Sequence, residues 1–248
     1  MMRKILIGAL ASAAAISMAV AMRAGDLAPY VSAMGSAKSL DVTYSITEVG
    51  GSQSMYHVVL AKPDKAMVDT PTMTTVADGK EITVYNKSRN TFYTKAQTKK
   101  DLELLFGDDD TSVWKPFFDS DAFSNVARTK VEGTRKHGSE MLKTIAAQVD
   151  PNGEFTIKFH IAQSDNLVRQ AEFINQKGAA SKISILNVQK MSMTADDSAF
   201  AFVAPANAKQ LTEADMMTAE WIDNDLNKAL ELAATTGKGV MIDVYADW

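Results

Sequence analysis

The stretch Met55–Lys95, MYHVVLAKPDKAMVDTPTMTTVADGKEITVYNKSRNTFYTK, decides the fold. Its core, Tyr56–Tyr93, is a series of short apolar runs cut by Lys62-Pro63-Asp64, Thr70-Pro71, Asp78-Gly79 and Asn86-Lys87-Ser88-Arg89-Asn90. Proline presets φ at a turn's first corner, and a glycine after aspartate accepts positive φ, so each cut is a turn. Runs of roughly five to eight residues between such turns predict antiparallel strands joined by hairpins. A meander of this kind makes a sheet, and a sheet with an apolar face must curve or be covered.

Outward from this stretch, Leu40, Val42, Tyr44 and Ile46 alternate with polar residues, which predicts a strand with one wet face. Before it, Leu27, Tyr30, Val31 and Met34 recur at helical spacing within Asp26–Lys38 and predict a short amphipathic helix. Residues 1–21 have the form of a secretory signal peptide: Arg3 and Lys4, an apolar run Ile5–Met18, then Ala19-Val20-Ala21. A membrane anchor is the alternative, but a span needs about 20 strongly apolar residues. The expectation is an exported, periplasmic or secreted protein. No cysteine follows the apolar run, so a lipoprotein is not expected.

At 248 residues and 46% hydrophobic content, the chain can bury one good core with a second small domain. A net charge of −4 offers no footprint for nucleic acid. The chain has no cysteine, hence no disulfide, thiolate metal site or thiol nucleophile. His57 and His160, in strands, and His137, in a turn, share no metal-ligand spacing and read as surface histidines. Asp108–Asp110 lacks the spacers and glycine of a calcium loop. Glu132 with Glu140, and Asp196-Asp197, read as solubilising charge in turns. No nucleophile elbow, phosphate loop or dinucleotide fingerprint is present, and no cofactor is expected.

Thr98–Phe123 changes texture. Leu102, Leu105 and Phe106, then Trp114, Phe117, Phe118 and Phe123 around Pro116, predict two short helices that either plug a curved sheet or seal an ordinary core. The second half returns to strands: Met141–Val149, a turn at Asp150-Pro151-Asn152-Gly153, an alternation through Phe155, Ile157, Phe159 and Ile161, then Asn166–Ile174 and Lys182–Met193. Lys177-Gly178-Ala179-Ala180 hinges the last two. The phase slips between Ile185 and Leu186, which predicts a bulge there.

Leu60-Ala61-Lys62-Pro63-Asp64-Lys65, followed by Asp78-Gly79-Lys80, Val84-Tyr85-Asn86 and Phe92-Tyr93, resembles the outer-membrane lipoprotein carrier (LolA-like) family over about residues 40–211. The resemblance implies an α+β, mainly β fold: a curved antiparallel sheet, an incomplete β-barrel, with plugging helices over a concave apolar face that holds acyl chains. The expected ligand is a lipid or lipoprotein acyl chain, with envelope proteins as the alternative partner. Residues expected to line the face are Tyr44, Tyr56, Val58, Leu60, Val84, Trp114, Phe117, Phe118, Phe155 and Phe159.

Beyond the 26–211 domain, Trp221–Ala234 predicts an amphipathic helix, and Val240–Tyr245 a buried strand before Ala246-Asp247-Trp248. This segment, 212–248, resembles the start of a thioredoxin-like domain of the thiol:disulfide interchange (DsbD-type) reductases. Asp243 and Trp248 fall on that motif, and the chain stops one residue before the family's first redox cysteine. Three readings stay open: a fragment, a selenocysteine codon read as stop, or a true end. The second function expected of the sequence is accordingly a thiol:disulfide reductase whose catalytic half is missing.

Overall fold

The computed structural model describes residues 25–176, 181–212, 215, 222, 225–236 and 239–240. The signal-peptide stretch 1–21, the hinge Lys177–Ala180, the start of the helix at Trp221, and Asp243 and Trp248 lie outside the described residues. The chain divides into two units, Met1–Gln210 and Leu211–Trp248.

The first unit opens with a 3₁₀ turn, Gly25–Leu27, and helix α1, Ala28–Ser36. Six strands follow: β1 (Ser39–Glu48), β2 (Gln53–Ala61), β3 (Lys65–Asp69), β4 (Met73–Ala77), β5 (Glu81–Asn86) and β6 (Thr91–Ala96). A connection then carries α2 (Lys99–Leu104), α3 (Asp109–Ser112) and a 3₁₀ turn, Lys115–Phe117. A second meander comprises β7 (Arg128–His137), β8 (Glu140–Gln148), β9 (Phe155–Ala162), β10 (Val168–Asn175) and β11 (Lys182–Ser192). A 3₁₀ turn at Asp197–Phe200 leads to β12 (Lys209–Gln210).

All twelve strands form one sheet in the order β12-β6-β5-β4-β3-β2-β1-β11-β10-β9-β8-β7. Each meander pairs strand by strand, β1 joins β11, and β12 alone runs parallel, beside β6. The turns behave as their residues dictate. Asp78 accepts from the amides of Lys80 (2.7 Å) and Glu81 (2.8 Å) while Gly79 takes φ +97°, and those amides hold the Asp78 carboxyl below its usual range. Thr98 and Asp101 form a reciprocal capping box that starts α2.

The sheet is open and strongly curled. Asp26 bonds Thr129 on β7, at 3.1 Å from the threonine hydroxyl, whereas Lys62, just past β2, donates to the Gly35 carbonyl. β7 and β2 are six strand steps apart, about 29 Å in a flat sheet at about 4.8 Å per step. The helical backbone from Gly25 to Gly35 spans only about 15 Å. Lysine reach narrows that gap without closing it, so the strands wrap around the helix. The core lies inside the curl: Tyr30, Met34, Leu40, Tyr44, Leu60, Trp114, Phe117 and Phe159 are all fully buried. On the outer face, the Phe202 ring meets Tyr85 and Phe92 at 6.1 and 5.2 Å.

Three expectations are corrected. The bulge is not at Ile185/Leu186 but at Gln189, which the β1–β11 register skips between Lys190 and Val188. The apparent slip arises because Leu186 enters the core while Ile183 and Ile185 half-cover the outer face. Glu132 and Glu140 are strand residues paired with Lys158 (3.1 Å) and Arg169 (2.8 Å), not turn charges. His160 is buried, at 4% exposure. Its imidazole contacts the Thr144 hydroxyl at 2.9 Å and the Glu172 carboxylate at 2.8 Å. His57, by contrast, is only part-buried, 2.8 Å from Asp41.

In the second unit, helix α4 (Leu226–Thr236) is capped by Asp225, which accepts from the Lys228 amide at 3.0 Å. Leu226 and Leu230 are exposed on it.

Burial holds the His160 imidazole below its ordinary 6.5, with Arg135 and Lys158 acting the same way and Glu172 opposing them. A lowered folded-state pKa means the unfolded chain takes up the proton first, so stability is lost as pH falls below about 6.5. Urea midpoints measured between about pH 7 and pH 5 are expected to fall less steeply for His160→Gln than for the parent; equal slopes would show that His160 does not set this dependence.

Candidate functional site: the plugged concave face

The inner sheet face is apolar because period-two positions place Leu40, Val42, Tyr44 and Ile46 of β1, and Tyr56, Val58 and Leu60 of β2, on one side. α1 and the 99–118 connection lie over it. α1 lays Tyr30 against Phe159, ring centroids 5.9 Å apart, and the Tyr30 hydroxyl donates to the Val113 carbonyl. The connection seats Trp114 against Tyr44 at 5.5 Å. Tyr44 in turn stacks on Tyr56 at 5.2 Å and 9°.

Two further tyrosine hydroxyls tie the connection down. Tyr44 donates to the Asp110 carbonyl at 2.8 Å, and Tyr56 to the Asp110 carboxylate at 2.6 Å. Burial raises both phenols' pKa values, with Asp110 adding to the rise, so both remain protonated donors. The same segment carries polar discomfort. The Trp114 indole N–H is buried beside the Tyr44 hydroxyl, whose pKa it lowers, without a well-formed hydrogen bond among the described residues. Burial and the neighbouring Asp110 and Asp108 raise the Asp109 carboxyl's pKa.

Where the connection runs out, at the β1–β2 and β10–β11 ends, a cavity of about 390 Å³ opens. Ile46, Phe155 and Phe173 are its apolar lining; Tyr56, Glu48, Asp109, Asp110 and Lys182, with Ser52, Ser54, Ser184 and Asn175, make the rest of it polar. Lys182 is held by Glu48 at 2.7 Å. A second cavity of about 330 Å³ lies at the opposite end, beside Pro63 and Gly79, walled by Leu102, Phe106 and Phe118 under Lys99 and Lys115.

The structure places the expected lining residues unevenly. Tyr44, Val58, Leu60, Trp114, Phe117 and Phe159 are fully buried and packed together, and Tyr56 is nearly so. Tyr56 and Phe155 border the first cavity and Phe118 the second. Val84 is half-buried on β5 and borders neither. Sequence reasoning missed Phe173 and Asp110 as site residues. Phe173 carried a signal, since it sits in a period-two apolar run; Asp110 carried none, because its role depends on tyrosines 54 and 66 positions away. Among the described residues, no group of three or more histidines and acids could hold a metal ion.

No family model matches the chain. An uncharacterised protein of Methanocaldococcus jannaschii is 26% identical over 184 residues, 74% of this chain and 51% of that protein. The chain thus spans about half the length of that relative. Solved structures that it resembles include an uncharacterised conserved protein of Thermus thermophilus (TM-score 0.46, 13% identity, 81% of this chain and 98% of that one). The MucA/MucB complex of Pseudomonas aeruginosa gives 0.41 at 15% identity, covering 71% and 59%. A LolA superfamily protein of Nitrosomonas europaea gives 0.35 at 11%, covering 75% and 97%. The thioredoxin-like, redox reading of the tail gains no support from these likenesses.

The tie at Asp110 is testable without any ligand. Tyr56→Phe removes a donor from a carboxylate and is expected to cost about 1.5–3 kcal/mol. Amide exchange should quicken at Ser112 and Trp114, whose N–H groups bond within the tied segment. Unchanged exchange there would mean that the hydroxyl does not hold the segment.

Proposed function

We propose that residues 26–211 bind an apolar chain, the acyl chain of a lipid or lipoprotein, in the concave face, and that the 99–118 connection gives way to admit it. The protein acts in the periplasm or outside the cell after residues 1–21 are removed, and as a carrier it needs no catalytic residue. The observation that supports this best is the apolar inner face itself, which side chains of a tethered segment, not a second sheet, cover, and whose Ile46, Phe155 and Phe173 reach the otherwise polar cavity at its end. A cavity of about 390 Å³ is within the range of ligand sites, though at the small end. The motif resemblance around Lys62-Pro63 and Asp78-Gly79 points the same way.

The energetics permit exchange. Each buried methylene contributes about 0.8 kcal/mol, and each large apolar side chain about 1.5–3 kcal/mol. Lifting Trp114 and Phe117 off the sheet thus costs what four to seven methylenes, roughly, return. A chain longer than that more than compensates for the displaced plug, and the released Trp114 indole gains access to water.

Displacement of a fluorescent fatty acid from delipidated protein tests the reading. Saturable binding is expected, at least about tenfold weaker in Phe155→Asp, because a further carboxylate beside Asp109 and Asp110 is costly to bury under an acyl chain. No saturable binding by a folded parent chain, or equal binding by the variant, would rule out this site.

A further inference from the structure

The hairpin β7–β8 lines neither cavity, and its sequence departs from the rest of the chain. Residues 128–143 carry five basic residues, Arg128, Lys130, Arg135, Lys136 and Lys143, against Glu132 and Glu140. That excess of three positive charges sits in a chain whose net charge is −4. Both glutamates are already engaged by cations from outside the hairpin, Lys158 and Arg169. Arg128, Lys130, Lys136 and Lys143 make no ion pair among the described residues. Every residue of β7 except Thr129 is exposed.

Two large apolar side chains stand among these charges, Val131 at 41% exposure and Met141 at 44%. The register pairs Val131 with Ile145, Thr134 with Lys143, and Lys136 with Met141. Ile145 belongs to the core, so Val131, Lys136, Met141 and Lys143 share the concave face and form its outer lip. Exposed apolar groups interleaved with unpaired lysines are what an anionic bilayer takes up: methylene stems and apolar tips enter the interface while the ammonium groups meet phosphate.

We propose that the β7–β8 lip is a docking surface for an anionic lipid bilayer. An extended acidic peptide adding to the edge is the competing occupant, and the geometry disfavours it. β7 is broken by a bulge between Val131 and Gly133, with Gly133 at φ +140°, and lysines line the edge; both features blunt strand addition. Neither hinders a bilayer, which needs charge and apolar tips and no regular ladder.

Co-sedimentation with vesicles of phosphatidylcholine alone, or with phosphatidylglycerol added, tests the proposal on the full chain. The parent is expected to bind only the anionic vesicles. Each basic residue near such a surface contributes about fivefold in partition, so Lys136→Glu/Lys143→Glu should bind at least roughly twentyfold more weakly. Val131→Ser/Met141→Ser should bind severalfold more weakly. Residues 1–24 are common to parent and variants, and binding to the phosphatidylcholine vesicles measures what that apolar stretch contributes without the anionic lipid. Fatty-acid displacement unchanged in the variants separates loss of docking from loss of fold or ligand site. Equal vesicle binding by parent and charge-reversed chain overturns the proposal. Binding of a polyglutamate peptide at these lysines with no vesicle binding also overturns it, in favour of a protein partner.

Discussion

The pairing of β1 with β11 is the contact on which the rest of the structure depends. Each meander can form from local hairpins, but neither has enough apolar face to bury by itself. Joining Asp41–Glu48 to Ser184–Ser192 makes one face from two. The contact closes a loop of more than a hundred residues, whose entropy cost grows only slowly with length. The Gln189 bulge sits in this seam, and its amide donates to the buried Ser45 hydroxyl at 3.2 Å. A bulge raises local twist. The seam therefore joins the halves and also helps bend them around α1.

A curled sheet with an apolar inside leaves only two ways to satisfy that surface: its own side chains or something else's. α1 meets the requirement permanently, with Tyr30, Val31 and Met34 buried and Asp26 anchored to Thr129. The 99–118 connection meets it less completely. It has two short helices, a run of three aspartates and a buried indole N–H without a well-formed hydrogen bond. Segments that move in binding come from the least stable parts of a structure. On the proposed reading, the contrast between the two covers makes the connection, and not α1, the one that yields.

Much of the fold was legible in the sequence because its turns are chemically explicit. Pro63, Pro71 and Gly79 cut the first meander, and the Asp150–Gly153 turn cuts the second. β7 was not legible. A strand at an edge with neither face in the core needs no alternation, and Val131 is its only large apolar residue. The burial of His160 was hidden for a related reason. Its polar phase put it on the outer face, but long side chains of the edge strand β7 reach over that side, Arg135 to Gln170 and Glu132 to Lys158. The site was legible as a set of apolar residues and illegible as a geometry: Tyr44 and Leu60 on the inner face have the same spacing whether a helix or a ligand covers them.

That ambiguity has a physical basis. Burial is non-directional and scales with apolar area. An inner-face residue such as Val58 gains nearly the same free energy against Trp114 as against a methylene chain. What separates plug from ligand is the polar remainder: the hydroxyls of Tyr44 and Tyr56 have partners only while Asp110 is in place. In the proposed exchange of plug for ligand, the energy difference accordingly resides in a few hydrogen bonds at the rim, whereas the large apolar terms nearly cancel. A sheet built this way can keep one apolar surface covered at all times and still change what covers it.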